Sequence, residues 1–314
     1  MYNELMRRVL LPLLALVACD AGTLRPRADA LDGPPYDSGA DRAAGEKGGG
    51  DLRDAAAKCG NGACDPGESA ASCPADCNTS TVWRPKPGTS WQWQLSGTLD
   101  TSLNVQMYDI DLVNTPAATI AALRAQGRAV ICYFSAGSYE DVRPDAGDFP
   151  EEVKGNDLEG WNELWLDIRS TAVRAIMQKR LDLAKSKGCT GVEPDNVDGY
   201  ANDSGFPLTA SDQIAYNTFI AGEAHKRGLS VGLKNDTDQA AQLQPSFDWA
   251  LSEECLEYDE CSKFSPFIAA GKAVFHVEYA PDASATSVCP QVKSLQFDTL
   301  IKNMNLDAWR EACP

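Results

Sequence analysis

Acidic side chains recur where short apolar runs of this sequence end. Tyr108-Asp109-Ile110-Asp111 closes one run and Trp165-Leu166-Asp167-Ile168-Arg169 another. Others run into Glu193-Pro194-Asp195-Asn196-Val197-Asp198, Lys234-Asn235-Asp236, Ser252-Glu253-Glu254-Cys255 and Glu278-Tyr279. Carboxylates gathered at one rim suit hydrolysis of a glycosidic bond, which uses two of them. One protonates the departing oxygen, and the other attacks or activates water. One of the two has to be kept protonated by burial or by neighbouring charge. Glu193, Asp195 and Asp198 crowd a single turn, and like charges that close call for a cation or a proton. Taken singly, Asp167, Asp198 and Asp236 are explained as well by helix caps or loop hydrogen bonds. The two histidines offer less. His225 sits beside Lys226-Arg227 at a helix end and His276 lies inside an apolar run, so a histidine triad or zinc centre is poorly supported.

The elements that must position these acids alternate. Strand-like runs cover Asn104–Tyr108, Ala129–Phe134, Glu163–Asp167, Thr190–Asp195, Ser230–Lys234, Trp249–Glu253, Ala273–Tyr279 and about Asp298–Lys302. Amphipathic stretches such as Thr115–Ala125, Ser170–Lys187 and Ser211–Arg227 lie between them. Gly127, Gly188, Gly228 and Gly271 stand where a left-handed residue ends a helix before the next strand. Eight strands alternating with helices predict an α/β fold of the (β/α)₈ TIM-barrel type over 83–314. An open doubly wound sheet shares the periodicity, but no glycine-rich phosphate loop follows the first strand. In a barrel, chemistry sits at the C-terminal ends of the strands. Inward residues of alternate strands share a layer there, so strands four and six would present Asp195 and Glu253 to each other. Glu254, next along the strand, should point the opposite way.

The N-terminal part reads differently. Arg7-Arg8 precede an apolar run too short to span a bilayer, and Leu16-Val17-Ala18-Cys19 resembles a bacterial lipobox. Residues 1–18 are therefore expected to be a signal peptide, with Cys19 lipidated. The stretch 19–58 is rich in Ala, Gly, Asp and Pro and reads as a flexible linker. Cys59, Cys64, Cys73 and Cys77 mark a small cysteine-rich motif over 59–77, too short to hold a core. Two disulfides are expected to hold it, with calcium as a candidate ligand of Asp65, Glu68 and Asp76. No other cofactor is called for. Of eleven cysteines, ten remain once Cys19 is set aside, an even number that suits an exported chain. The formal charge of −17 disfavours nucleic acid and would attract a polymer carrying amines, although it also simply keeps a protein soluble.

Several strings together resemble one family. They are Trp91-Gln92-Trp93-Gln94-Leu95-Ser96-Gly97, Ile131-Cys132-Tyr133-Phe134-Ser135-Ala136-Gly137-Ser138, Trp165-Leu166-Asp167-Ile168-Arg169 and the run from Gly191 to Tyr200. Gly232-Leu233-Lys234-Asn235-Asp236 and Ser252-Glu253-Glu254-Cys255 continue the series. In this order they are similar to glycoside hydrolase family 114. The resemblance covers the chain from Trp83 onward and leaves out the linker and the cysteine-rich motif. It implies a (β/α)₈ barrel, endo-α-1,4-polygalactosaminidase activity, and Asp195 and Glu253 as the catalytic carboxylates. The family motif often reads Asn-Glu-Gln-Cys where this chain has Ser252-Glu253-Glu254-Cys255, so either neighbouring glutamate is a candidate there.

The expected substrate is a cationic amino-sugar polysaccharide. Trp93, Tyr133 and Tyr200 are candidates to stack on sugar faces, as is Trp91, although such rings are also ordinary core residues. Asp109 and Asp198 are further candidate substrate contacts. Lys234 would bond a hydroxyl or tune a carboxylate, unless it simply pairs with Asp236 or a strand-four acid. Glu278 would take a substrate ammonium. Cys255 and Cys261 are close enough to close a loop, and Cys289–Cys313 is expected to pin the C-terminus, which leaves Cys132–Cys189. The chain is expected to be monomeric and to meet a membrane only through its lipid. Two other readings stay open: a lipid-anchored barrel that binds carbohydrate without turnover, and a hydrolase of a different α-glycan.

Overall fold

The computed structural model describes residues 82–314. The expected signal peptide with Cys19, the expected linker and the 59–77 motif with its candidate calcium ligands lie outside the described residues. Twelve strands are described: β1 (Trp91–Gln94), β2 (Met107–Asp111), β3 (Ala129–Ser135), β4 (Ser138–Glu140), β5 (Lys154–Asp157), β6 (Glu163–Leu166), β7 (Gly191–Asp195), β8 (Ser230–Lys234), β9 (Trp249–Glu253), β10 (Val274–Ala280), β11 (Asp298–Asn303) and β12 (Arg310–Ala312). Eight of them, in the order β1-β2-β3-β7-β8-β9-β10-β11, pair in parallel, and β12 folds back antiparallel on β11. Across the seam, the Trp91 indole donates to the Asp298 carbonyl at 2.8 Å and the amides of Leu95 and Ser96 donate to the Leu306 carbonyl. The result is a (β/α)₈ TIM barrel. The longer helices around it are α1 (Ala117–Ala125), α2 (Thr171–Lys187) and α3 (Ala210–Lys226), followed by α4 (Ala240–Leu243), α5 (Ser265–Ala269) and α6 (Ala285–Val292). Among the described residues no helix is long and apolar enough to cross a membrane.

Two apolar layers hold the barrel. Trp91, Trp93, Met107, Ile131, Trp249, Phe275 and Val277 fill its interior. Outside, Ile110, Val130 and Val192 meet Val173, Met177 and Leu181 of α2 and Tyr216 and Ile220 of α3. Gly232 makes room inside: a Cβ there would sit 2.3 Å from the Trp249 ring. The helix ends follow the sequence. Ser170 caps α2 by accepting from the Ala172 amide, Thr209 and Asp212 form a capping box on α3, and Gly188 ends α2 at φ 85°. Gly127, Gly228 and Gly271 are left-handed as well. The three expected disulfides are present: Cys132–Cys189, Cys255–Cys261 and Cys289–Cys313.

One expected strand moves. Glu163–Asp167 is not in the barrel; β6 covers Glu163–Leu166 and is the middle strand of a small antiparallel sheet, β4-β6-β5, over the mouth. The barrel strand that replaces it is β1, the stretch Trp91-Gln92-Trp93-Gln94. A buried parallel strand ordinarily reads as an unbroken apolar run, and two glutamines hide this one. Gln92 and Gln94 are nonetheless buried, because their side-chain amides donate to the carbonyls of Ala308, Ser96 and Thr98. The first-named run also shifts, from Asn104–Tyr108 to Met107–Asp111.

Candidate active site

Strands β7, β8 and β9 are neighbours, and each delivers one charged side chain to the mouth at its last residue: Asp195, Lys234 and Glu253. The residue after each is left-handed, Asn196 at φ 59°, Asn235 at 47° and Glu254 at 55°, so the chain turns away from the rim directly behind the charge. Asparagine tolerates that conformation; for a glutamate it is uncommon. The Asn196 amide donates to Asp195 Oδ1 at 2.8 Å, and Asn235 receives the Glu253 amide at 2.9 Å. Gly137 seals the arrangement. A Cβ there would fall 1.7 Å from the Asn196 carbonyl oxygen, so only glycine lets the β3–β4 turn lie against the β7 turn.

Lys234 is the hub. Its Nζ stands 3.0 Å from Asp195 Oδ1, 2.9 Å from Glu253 Oε2 and 3.3 Å from Glu193 Oε1, and 4.8 Å from the centre of the Trp93 ring. Burial works against its charge, but Asp195, Glu253 and Glu193 outweigh burial and hold the ammonium well above the usual lysine range. Glu253 also accepts from the Tyr279 hydroxyl and from Asn235 Nδ2. Burial raises the Glu253 carboxyl, yet Lys234 and the hydrogen bonds from Tyr279, Lys234 and Asn235 prevail and leave it below the ordinary range. It is ionised at neutral pH.

Beneath this layer Glu193 and Asp109 are completely buried side by side. Trp93 Nε1 donates to Glu193 Oε2 at 3.0 Å. Asp109 Oδ1 and Oδ2 and Glu193 Oε1 have no hydrogen-bond partner among the described residues. One proton held between the two carboxyls would pair Glu193 with one of the Asp109 oxygens. Burial lifts Asp109 to about 7 against the opposing Glu193 hydrogen bond and Lys234 charge, and burial with the Asp109 charge lifts Glu193 well above its usual value.

A cleft of about 1110 Å³ opens over the pair. Trp93, Tyr133, Asp198 and Lys234 border it, as expected. Trp93 is 1% exposed, however, and forms floor rather than a stacking face, and Trp91 is packed in the barrel core. Asp198 is pushed up to about 6 by burial and by Asp195. The other three candidates are not among the cleft residues. Asp109 lies under the floor. Tyr200 is turned toward Asp236 and Asp238, and its hydroxyl is raised to about 12 by burial and then those charges. Glu278 accepts from His276 Nε2 and the Leu256 amide at 2.8 and 2.9 Å, behind the strand. Alternation on β10 explains the last case. Phe275, Val277 and Tyr279 point inward, so Tyr279 rather than Glu278 reaches the site.

The remaining walls were not singled out from sequence. Glu140, Arg143 and Glu163 come from the small sheet and its loop, Trp161 from the β5–β6 turn and Met304 from the loop after β11. The charges on Glu140 and Glu163 carried no strand-end signal because their strands lie outside the barrel.

With this geometry in view, the comparisons with known proteins agree. Residues 72–314 match the family model of glycoside hydrolase family GH114. Ega3 of Aspergillus fumigatus, solved in complex with galactosamine, is 46% identical over 74% of this chain and 97% of its own, with a TM-score of 0.71. The glycoside hydrolase domain of PelA from Pseudomonas aeruginosa is 14% identical over 72% of this chain and 98% of its own; its TM-score of 0.57 shows a shared fold. Comparison with curated proteins gives no match. Barrel, acidic mouth and family match converge: the chain belongs to glycoside hydrolase family GH114 and is a glycoside hydrolase.

Proposed function

We propose that this enzyme is an endo-acting hydrolase of α-1,4-linked galactosamine polymers, with Asp195 and Glu253 as the reacting carboxylates. The observation that carries the reading is the pair itself, held to one ammonium on the floor of an open cleft. Two carboxylates in one site are what cleavage of a glycosidic bond uses. The galactosamine bound by a relative 46% identical supports the sugar. The walls support it too, since Asp111, Glu140, Glu163, Asp195 and Asp198 all border the cleft and would attract amines. Leu306 and Trp161 both border this roomy, open cleft, which suits a polymer lying in it and cut internally.

Export goes with this reading. The signal-like residues 1–18 and three disulfides suit an oxidising compartment. A lipid on Cys19, with the barrel acting as a monomer, completes the proposal. The test is product analysis on a panel of galactosamine, N-acetylgalactosamine and α-glucan polymers. An early spread of medium-length oligosaccharides from the galactosamine polymer is expected. Release of monosaccharide alone, or cleavage confined to the glucan, would overturn the reading.

A further inference from the structure

Glu140 on β4 and Glu163 on β6 are direct register partners across the small sheet. Side chains so paired share a face and stand close, where like charges ordinarily repel. Both border the cleft beside Asp195. One cation is present, and it is divided: Arg143 reaches Glu140 Oε1 and Asp111 Oδ2, each at 2.7 Å. Lys234 is engaged by the other three carboxylates.

Two observations mark what is missing. Glu140 is 8% exposed, and its Oε2 has no hydrogen-bond partner among the described residues. A buried carboxylate oxygen left without a donor is costly. Among the described residues the Glu163 carboxylate receives only the Ser138 hydroxyl, and burial, then the charges of Glu140 and Asp195, push it up to about 7. At the edge of the open cleft the wall thus sets Asp111, Glu140 and Glu163 against the one guanidinium of Arg143, with Glu140 Oε2 and Arg143 Nε each lacking a partner among the described residues.

We propose that Glu140 and Glu163 form a recognition site for the primary ammonium of a 2-amino sugar bound beside the reacting carboxylates, and that this site discriminates free amino sugars from N-acetylated ones. It rests on the reading of the cleft as a polysaccharide site. An ammonium brings three donors and a charge, enough for Glu140 Oε2 and Glu163 together. An acetamido group brings one donor, no charge and a carbonyl oxygen that would face carboxylates. The same site would be left unpaired by the acetylated sugar, which is how hydrogen-bonding pockets reject a ligand that lacks the group they expect.

The test measures binding of short galactosamine oligosaccharides and of their N-acetylated counterparts by calorimetry, using the full chain and its Glu163→Gln and Glu140→Gln variants. The wild type is expected to prefer the free amine by about tenfold or more. Glu163→Gln is expected to bring that preference within about twofold while binding of the acetylated ligand stays unchanged. Glu140→Gln should move it the same way; because Arg143 also leans on Glu140, Glu163→Gln decides if that variant misfolds. Equal loss for both ligands, an intact preference in Glu163→Gln, or no preference in the wild type would overturn the site. A wild type that prefers the amine yet cleaves no galactosamine polymer would count against the proposed substrate and leave the ammonium site standing.

Discussion

Lys234 Nζ lies 2.9 Å from Glu253 Oε2, and the same nitrogen is 3.0 Å from Asp195 Oδ1. One buried ammonium thus ties together the two acids proposed to react. Replacing it in Lys234→Met would leave facing carboxylates without a cation, so a proton would take its place and the ionised state of Glu253 would be lost. Turnover should fall by about a hundredfold or more, with binding of short oligosaccharides less affected. Steady-state kinetics on a soluble galactosamine oligosaccharide checks this, and near-normal kcat would contradict it.

The shared ammonium also bears on stereochemistry. The two oxygens it holds are no further apart than about 6 Å, the two contacts laid end to end. Retaining glycosidases set their carboxyls about 5–5.5 Å apart, whereas inverting ones need about 6.5–9.5 Å to seat a water. Nearest oxygens this close favour the shorter, retaining arrangement, so the first-formed product is expected to keep the α configuration. Proton NMR of the reducing end during the first minutes of reaction would reveal it, and initial β-anomer would exclude a covalent intermediate here.

Trp161 stands 57% exposed on the cleft rim, carried by the turn between β5 and β6. Large exposed aromatics beside a sugar cleft are platforms for ring faces, worth about 0.5–1.5 kcal/mol. Trp161→Ala should raise KM for long polymer by roughly threefold to tenfold, with kcat and melting temperature little changed. An unchanged KM would remove the rim from the binding surface.

Buried acids give the stability an unusual pH dependence. Burial, aided in most cases by neighbouring charge, lifts Asp109, Glu163, Glu254 and Asp298 to about 7 and Asp236 to about 8. For an acid whose folded pKa is raised, the unfolded chain loses its proton first, near pH 4, while the folded chain keeps it. Stability therefore falls as pH rises from about 4 to about 8, then levels off. The opposite case, Glu223, is held down to about 2: burial opposes its charge, but Lys226, Arg227 and Gln178 prevail. Its contribution is lost only as pH falls from about 4.5 toward 2. Thermal unfolding should show a higher Tm near pH 5 than near pH 8, and a higher Tm at pH 8 would contradict this.

Much of the barrel was legible in the residues. Strands β7 to β11 sit where the strand-like runs predict, and they carry Asp195, Lys234 and Glu253 to one mouth. Local physics sufficed there, because the inward face of a buried strand and the glycine after a helix both leave marks in the sequence. Two things did not leave such marks. The glutamines of β1 become buried only because distant carbonyls, such as that of Ala308, receive them. Glu163–Asp167 reads as a barrel strand, since Glu163-Leu164-Trp165-Leu166 has strand chemistry and nothing local says which sheet it joins. With it, Glu140 and Glu163 went unnoticed as cleft walls. On β10 the alternation set by Val277 in the barrel core places Tyr279, not the charged Glu278, at the site.

The most direct check on the proposed chemistry compares Asp195→Asn and Glu253→Gln with the parent enzyme on purified galactosamine polymer, following new reducing ends. Each exchange keeps the size of its side chain and removes its acid–base and nucleophilic capacity. Each variant should retain its melting transition and lose cleavage by about a thousandfold or more. Full activity in either variant would show that the reacting carboxylates lie elsewhere in the mouth.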